Sequence, residues 1–337
     1  MNSRSLRSLL AFVLLVFHLS VSADDTDLFV GAPPSAVDMP SVLIILDNTA
    51  NWNNAFDNEM AAMRTVIAGL PTNRDGSAVM QLGIMLFTET GGGDSGTAGG
   101  YLRAAVRPLN LDYKEKLVRL LTRRVTNGIW EGIDKNEDKS NGGKLGYTMA
   151  DAYRYFSGLE PVSGNNKNKT DYLGNTFGTD AASKAIYAME SGHALSSKAG
   201  SPYNSPVAAG SCGRNFIIYI SNGAAQDNNS DTVAATNVLK AAAGGGAAGD
   251  EAAATIQLDI AGSQTNVADE WARFMHKSSL GMVTYTIDVD KVTTGQGPGW
   301  SNLLWSMANV SKGKYFSVAS ENTGSAILKA MEDIFPC

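Results

Sequence analysis

The sequence predicts an open, doubly wound α/β fold, in which helices cover both faces of a mostly parallel central sheet. Two observations predict it. Strand-like apolar runs alternate with amphipathic helical stripes along nearly the whole chain, which indicates repeated strand–helix–strand units. Two of the runs, VLIIL at 42–46 and FIIYI at 216–220, are apolar without alternation, a pattern typical of strands that are buried on both faces.

The predicted strands are short and rich in Val, Ile, Phe and Tyr. They lie at 42–46, 79–87, 216–220, 282–289 and 315–319, with a shorter edge strand near 104–106. Helices are predicted where apolar residues recur at steps of three and four, because such residues share one helix face. These stripes lie at 56–70, 267–275, 300–307 and 326–334.

A long insertion interrupts the alternation before the fourth strand. Residues 157–213 are longer than an ordinary connection and contain a polar, Asn-rich run. A short helix is predicted inside the insertion at 181–189. We therefore divide the chain into a leader at 1–23, a linker at 24–40 and one domain at 41–337 that carries the insertion.

The leader has the pattern of a secretory signal peptide. Arg4 and Arg7 precede an apolar run at 9–19, and small residues follow as far as Ala23. A membrane anchor is the alternative, but the apolar run is short for a span and no later segment approaches transmembrane length. We expect cleavage after Ala23. The remaining chain is then secreted, extracellular or at the cell surface, and does not span a membrane.

The chain has two cysteines, Cys212 and Cys337. Cysteines commonly pair in an oxidising compartment, and a bond between these two would close a long loop. Such a disulfide would stabilise the fold by about 4–5 kcal/mol if its geometry is unstrained. Two free thiols are the alternative, and the spacing does not choose between them.

Composition excludes some functions. The net charge is -6 and only 18% of residues are charged, so the chain lacks the excess of Lys and Arg that nucleic-acid binding needs. Outside the leader the histidines are His193 and His276, which show no zinc-ligand spacing, and there is no G-x-S-x-G motif. We therefore expect that the protein is not an enzyme, and keep a secreted hydrolase as the alternative.

Polar residues follow two of the buried strands and suggest a cation site. Asp47, Thr49 and Asn51 alternate after the first strand, Asn222 follows the strand at 216–220, and Thr148 opens a predicted helix. Ligands bind at the carboxyl ends of strands in such sheets, and these oxygen-bearing side chains suit Mg²⁺. The alternatives are a helix cap for the first cluster and a simple turn for Ser221-Asn222-Gly223.

A second candidate cation loop lies at 134–145. Asp134, Asn136 and Asp138 alternate as in the first half of an EF-hand loop. Lys139 and Leu145, however, occupy the positions of the loop's Gly and Glu, so a solvated loop is the competing interpretation.

The first cation site resembles the metal-ion-dependent adhesion site of von Willebrand factor A domains, whose D-x-S-x-S motif follows a first apolar strand. Asp47, Thr49 and Asn51 match that motif, Thr148 matches a lone Thr, and Asn222 matches a second Asp in a T-D-G turn. The resemblance covers about 41–335. It implies that a bound Mg²⁺ offers an open coordination position to an acidic group on a protein partner.

A narrower resemblance is to the amino-terminal domain of the PilY/PilC family of type IV pilus-associated proteins. It rests on the signal peptide before SVLIILDNTANWN, on the segment SPVAAGSCGRNFIIYISNG, and on the long insertion ahead of that segment. It implies a role in adhesion, pilus biogenesis or surface sensing, with pilus or surface-assembly components, or a host or surface ligand, as partners.

The chain departs from both families. Asn51 replaces a Ser and Asn222 replaces an Asp, which removes one formal charge. At about 4 Å such a charge is worth roughly 1–4 kcal/mol, so the resemblance implies a degenerate, weaker site. A metal-free structural subunit of an extracellular filament or surface assembly is the alternative. PilY-like proteins usually continue into a carboxyl-terminal propeller, so the chain is either a free-standing domain or part of a longer protein.

Overall fold

The computed structural model describes residues 39–48, 54–87, 99–122, 124–126, 129–133, 144–162, 170–172, 192–197, 201–208, 213–221, 227, 229–258, 266–289 and 297–319. All of them belong to the compact unit Ser35–Cys337.

Six strands form the central sheet, and two short ones form a separate hairpin. The sheet strands are β1 (Ser41–Leu46), β2 (Gln81–Phe87), β3 (Gly100–Pro108), β6 (Asn215–Ser221), β7 (Val283–Val289) and β8 (Tyr315–Val318), and the hairpin consists of β4 (Arg124–Thr126) and β5 (Ile129–Glu131). The sheet order is β3-β2-β1-β6-β7-β8. All neighbouring strands are parallel except β2 and β3, which are antiparallel.

Seven helices are described, and they lie on both faces of the sheet. They are α1 (Asn54–Gly69), α2 (Leu111–Leu120), α3 (Leu145–Ser157), α4 (Asn229–Ala242), α5 (Gly246–Ala252), α6 (Ala268–Lys277) and α7 (Gly297–Val310). Apolar residues of α1 and α2 pack on one face of the sheet, and those of α3, α4, α6 and α7 pack on the other. We call these the first and second faces.

Alternation along β1 explains why its sequence is apolar throughout. Val42, Ile44 and Leu46 point to the first face, whereas Leu43 and Ile45 point to the second. Every residue of β1 is buried, because helices cover the strand on both sides. The doubly wound, mostly parallel α/β sheet predicted from the sequence is therefore confirmed.

The predicted elements that fall on described residues match the observed ones closely, but α2, α4 and α5 were not predicted and one predicted strand differs. The strand predicted near 104–106 is much longer, Gly100–Pro108, and antiparallel to its neighbour. Its sequence contains Arg103 and Arg107, which suggest a solvent-exposed strand, yet both side chains are buried. The β4–β5 hairpin was not predicted.

Several predicted features lie outside the described residues. They are the leader at 1–23, most of the linker at 24–40, the helices at 181–189 and 326–334, and both cysteines, Cys212 and Cys337. Of the insertion at 157–213 only parts are described. Across the part of the chain that is described, no helix is both long and apolar enough to cross a membrane.

Candidate functional site

The candidate site lies at the carboxyl edge of the sheet, where the strand order reverses between β1 and β6. The backbone N–H of Asp47 donates to the carbonyl of Ile220 at 2.8 Å, so the residue after β1 still pairs with β6. The Ser221 hydroxyl donates to Asp47 Oδ2 at 2.6 Å. Asp47 is only 3% exposed, so its carboxylate is held inside the edge by a buried neighbour.

Asn48 has a role that the sequence did not indicate. Its side-chain Nδ2 donates to the carbonyl of Phe87 at 3.2 Å, and its Oδ1 accepts from the Phe87 N–H at 2.7 Å. The side-chain amide therefore adds two hydrogen bonds between the ends of β1 and β2. In the sequence, an Asn after a strand looks the same whether it caps a helix or fixes two strands together.

Thr148 lies in the first turn of α3 and is fully buried. Its hydroxyl donates to the carbonyl of Lys144 at 2.8 Å. A Cβ added to Gly100 would lie 2.8 Å from the Thr148 methyl carbon, so the bare glycine lets α3 approach the start of β3. Gly100 pairs with Phe87, the last residue of β2. Thr148 and Asp47 therefore belong to the same edge of the sheet.

The two residues also share a face. Odd-numbered residues of β1 point to the second face, which places Asp47 on that side. The added Cβ at Gly100 would also lie 2.7 Å from Met85 Sδ, and Met85 belongs to the second face. The structure thus brings Asp47 and Thr148 to one edge and one face.

Asp227 joins the segment after β6 to the start of α3. Its Oδ1 accepts from the Leu145 N–H at 2.8 Å, and its Oδ2 accepts from the Gly146 N–H at 3.0 Å. Burial raises the pKa of Asp227, and the hydrogen bonds from Gly146, Leu145 and Asn266 oppose that rise. The sequence analysis did not identify this residue, because an Asp in a polar segment gives no signal of a distant helix.

Tyr219 connects these aspartates electrostatically. Burial raises the pKa of Tyr219 well above its ordinary value, and the charges of Asp47, Asp227 and Asp288 raise it further. Asp288, near the end of β7, is in register with Ser221. Three carboxylates from three separate segments therefore act on one buried hydroxyl at this edge.

Asp288 is itself held by hydroxyl groups. Its Oδ2 accepts from Ser301 Oγ at 2.6 Å and from the Tyr315 hydroxyl at 2.8 Å. Burial, followed by the charge of Asp288, raises the pKa of Tyr315 to about 12. The Tyr315 hydroxyl therefore stays protonated at neutral pH and remains a donor to the carboxylate.

Two of the five predicted cation ligands can be assessed. Asp47 offers carboxylate oxygen and Thr148 offers hydroxyl oxygen, which are the donor types that Mg²⁺ prefers. Thr49, Asn51 and Asn222 lie outside the described residues. Within the described ranges, no group of three or more His, Cys, Asp or Glu side chains is placed to hold a metal ion. The described donor set fits a hard cation in type but covers only part of a coordination shell.

Of the other candidates named from the sequence, only the two histidines are described, and each contacts another group. Asp134, Asn136 and Asp138 lie outside the described residues. His193, in the insertion, has its Nδ1 2.8 Å from the side-chain amide of Asn204. His276, near the end of α6, has its Nδ1 3.2 Å from the carbonyl of Met282.

Comparison with known proteins yields distant structural neighbours. No protein-family model matches the chain, and no curated protein matches it. Solved structures that align with it include the pilus adhesin SpaC from Lactobacillus rhamnosus GG in an open conformation, with a TM-score of 0.47 and 10% identity over 90% of this chain and 31% of that one.

Two further neighbours align over similar shares of the chain. A D319A mutant of the PilB minor pilin from Streptococcus sanguinis has a TM-score of 0.40 and 10% identity over 90% of this chain and 62% of that one. The human COPII-coat protein Sec24c has a TM-score of 0.33 and 12% identity over 89% of this chain and 33% of that one. The chain thus spans less than two thirds of each neighbour, and likenesses this distant carry no argument about function.

Proposed function

We propose that the chain is a secreted binding domain of the von Willebrand factor A-like type, associated with type IV pili or a similar surface appendage. Its role is adhesion, pilus biogenesis or surface sensing. The observation that carries this proposal is the placement of Asp47 and Thr148 on one edge and one face of the sheet. These are the two described residues that match the adhesion motif.

The topology supports a binding site at this edge. When the six strands of the large sheet are counted along the chain, they lie side by side in the order third, second, first, fourth, fifth, sixth. Ligands of such sheets bind outside the carboxyl ends of the strands, at the point where this order reverses. Asp47 and Ser221 flank that point from β1 and β6. In the sequence, Thr49 and Asn51 follow β1, and Asn222 follows β6.

The proposed chemistry is recognition through a weakly held cation. Asp47, Thr49, Asn51, Thr148 and Asn222 would hold Mg²⁺, which would supply a Lewis-acidic position for an acidic group on a protein partner. Asp47 is the only carboxylate among the five. The Ser221 hydroxyl orients this carboxylate, and burial strengthens its electrostatic interactions. The protein acts by binding rather than by catalysis, outside the cell.

A metal-free structural subunit of a surface assembly is the second candidate. It is favoured by the intramolecular hydrogen bonds at the edge, because Asp47 accepts from Ser221 and Asp227 accepts from α3. These contacts hold the edge together without an ion. Partner recognition would then rest on the insertion at 157–213 and its Asn-rich run.

The pilus assignment is tested by deleting the gene, counting surface pili and measuring attachment. We expect fewer pili or weaker attachment in the deletion strain, and recovery when the wild-type gene is returned. Return of Asp47→Asn should restore piliation but not attachment if the site recognises a partner. Asp112→Asn, which changes an exposed carboxylate on α2, is the matched control. Unchanged piliation and attachment in the deletion strain would overturn the assignment.

The cation site is tested by titrating the secreted chain with Mg²⁺ in a calorimeter. Asn222→Asp restores the charge that the adhesion motif normally carries, so we expect affinity to rise by about tenfold or more. Asp47→Asn should abolish binding. If Asn222→Asp leaves the affinity at the wild-type value, the alignment of this residue with the second Asp of the motif is wrong.

A further inference from the structure

The start of α3 lacks a cap from its own sequence. The first backbone N–H groups of a helix have no partner within the helix, and a Ser, Thr, Asp or Asn at the N-cap usually accepts from them. Here the N-cap residue is Lys144, whose side chain makes no capping hydrogen bond. The helix that carries Thr148 therefore depends on another part of the molecule for this role.

Asp227 supplies the missing acceptor from a distant part of the chain. Its two carboxylate oxygens accept separately from the N–H groups of Leu145 and Gly146, at 2.8 and 3.0 Å. A negative charge at a helix N-terminus also interacts favourably with the helix dipole. One side chain therefore holds the first turn of α3 in place through two hydrogen bonds.

The packing around this contact leaves little freedom. A Cβ added to Gly146 would lie 2.8 Å from Val267 Cγ1, 3.0 Å from Ala235 Cβ and 3.1 Å from Asp227 Oδ2. Glycine at this position is thus what allows the carboxylate, α4 and the residue before α6 to meet the helix start together. Asn266 adds a side-chain hydrogen bond to the same carboxylate.

A second carboxylate nearby has a different role and provides a control. Asp231, in the first turn of α4, forms an ion pair with the side chain of Lys144. The side chains of Lys144 and Asp231 are 20% and 16% exposed, and their contact involves no backbone group of α3. Changing Asp231 therefore alters charge beside the helix start without removing the acceptor from Leu145 and Gly146.

One residue at the end of β6 and one residue after it contact the two parts of the candidate site. Ser221, the last residue of β6, donates to Asp47, and Asp227 binds the start of α3, where Thr148 lies in the first turn. Asp47 and Asp227 also both act on the buried hydroxyl of Tyr219. Ser221 and Asp227, six positions apart in the sequence, thus each bind one of the two parts of the candidate site.

We propose that Asp227 is a positioning residue for the binding edge, which sets the placement of Thr148 relative to Asp47 by holding the first turn of α3. This inference rests on the proposed function, because it assigns Asp227 to the support of the same cation site. Asp227 touches neither the proposed ion nor the partner, and it acts through Thr148.

The test is Mg²⁺ titration calorimetry on the secreted full chain. Asp227→Ala removes both acceptors, and we expect it to weaken Mg²⁺ binding by about 10–100-fold, as losses of supporting residues at metal sites typically do. Asp227→Asn keeps one acceptor and should give an intermediate loss. Asp231→Ala should stay within about twofold of wild type. Circular dichroism of each variant checks that the fold is retained.

A double-mutant cycle separates positioning from a general structural role. Thr148→Val removes the hydroxyl through which Asp227 is proposed to act, so in that background Asp227→Ala should add less than about twofold further loss. Equal losses in both backgrounds would overturn the inference, as would wild-type affinity in Asp227→Ala. If the wild-type chain binds no Mg²⁺, the proposed cation dependence fails, and this inference fails with it.

Discussion

Two buried carboxylates, Asp171 and Glu270, show how differently one chemical group behaves in one protein. Both are nearly inaccessible to solvent, at 0% and 3% exposure. Asp171 meets the guanidinium of Arg107 at 2.7 Å, and its Oδ2 also accepts from the Ala105 N–H at 2.6 Å. Glu270 lies against a second carboxyl group, that of Asp269, and accepts from the Ile256 N–H at 2.7 Å.

The difference lies in the neighbouring charge rather than in burial. Arg107 provides a counter-charge to Asp171, and further binds the carbonyl of Gly192, at 2.9 Å through Nε. Glu270 has a like charge beside it. Burial, then the hydrogen bond to Asp269 and the charge of Asp269, raise the pKa of Glu270 to about 8. Asp171 thus ties part of the insertion to β3 by charge pairing, whereas burial and the neighbouring Asp269 favour a proton on Glu270.

The largest effect is expected from breaking the charge pair. Asp171→Asn keeps the shape of the side chain but leaves Arg107 buried without its counter-charge, so we expect a loss of about 3–5 kcal/mol in unfolding free energy. Urea unfolding at pH 7 measures it. A loss below about 1 kcal/mol, the size typical of an exposed pair, would show that solvent reaches Arg107 and would remove the contrast between the two carboxylates.

A smaller, pH-dependent effect is expected at Glu270. The folded-state pKa of about 8 lies above the ordinary value of 4.5, so the folded protein retains a proton that the unfolded chain releases. The stabilisation is fully present below about pH 4.5 and is lost as the pH rises through about 8. Glu270→Gln stays neutral and should therefore be more stable than wild type at pH 7, which lies about 2.5 units above the unfolded pKa, by on the order of 3 kcal/mol.

The measurement for Glu270 is the unfolding free energy of both proteins from pH 5 to pH 9. The two curves should lie closest together at pH 5, diverge progressively up to about pH 8, because the unfolded wild-type chain releases a proton that the folded protein keeps, and level off at a constant separation above that. Parallel curves would mean that Glu270 is ionised throughout. Asp269 and Glu270 would then both carry a negative charge.

The smallest effect is expected from an exposed ion pair on α2. Lys116 Nζ lies 2.8 Å from Asp112 Oδ2, close to the distance in the Arg107–Asp171 pair, but the Asp112 side chain is 72% exposed. We expect Asp112→Asn to change stability by less than about 0.5 kcal/mol, because water and salt screen the interaction. Urea unfolding in low and high salt tests this. A change comparable to that of Asp171→Asn would contradict the role given to burial.

The sequence was informative wherever a single segment determines its own environment. VLIIL and FIIYI are apolar at every position, which only strands covered on both faces require, so both strands were predicted within one residue at each end. Asp47 was predicted at the strand end for the same local reason. The order of the strands could not be predicted in this way, because it depends on contacts between segments that the sequence does not pair.

The residues that were missed act at long range. Asp227 binds a helix 82 positions away, and Asn48 binds a strand 39 positions away, so neither shows a local pattern. Glu270 had a local pattern that pointed elsewhere. An acidic residue in the first turn of a helix is ordinarily exposed and interacts with the helix dipole. Here Glu270 is buried, accepts a hydrogen bond from the N–H of Ile256 in the segment after α5, and lies beside Asp269.

The position of β1 in the middle of the sheet has a consequence for how the chain reaches this structure. Asp47 and its partner Ser221 are separated by 174 positions, so the strand VLIIL is synthesised long before the strand that covers its inner edge. Long-range parallel pairing of this kind folds slowly and leaves apolar strand edges exposed in the meantime. The carboxyl edge of the sheet therefore completes late, and the apolar residues 41–46 lack their β6 partner until residues 215–221 have been synthesised.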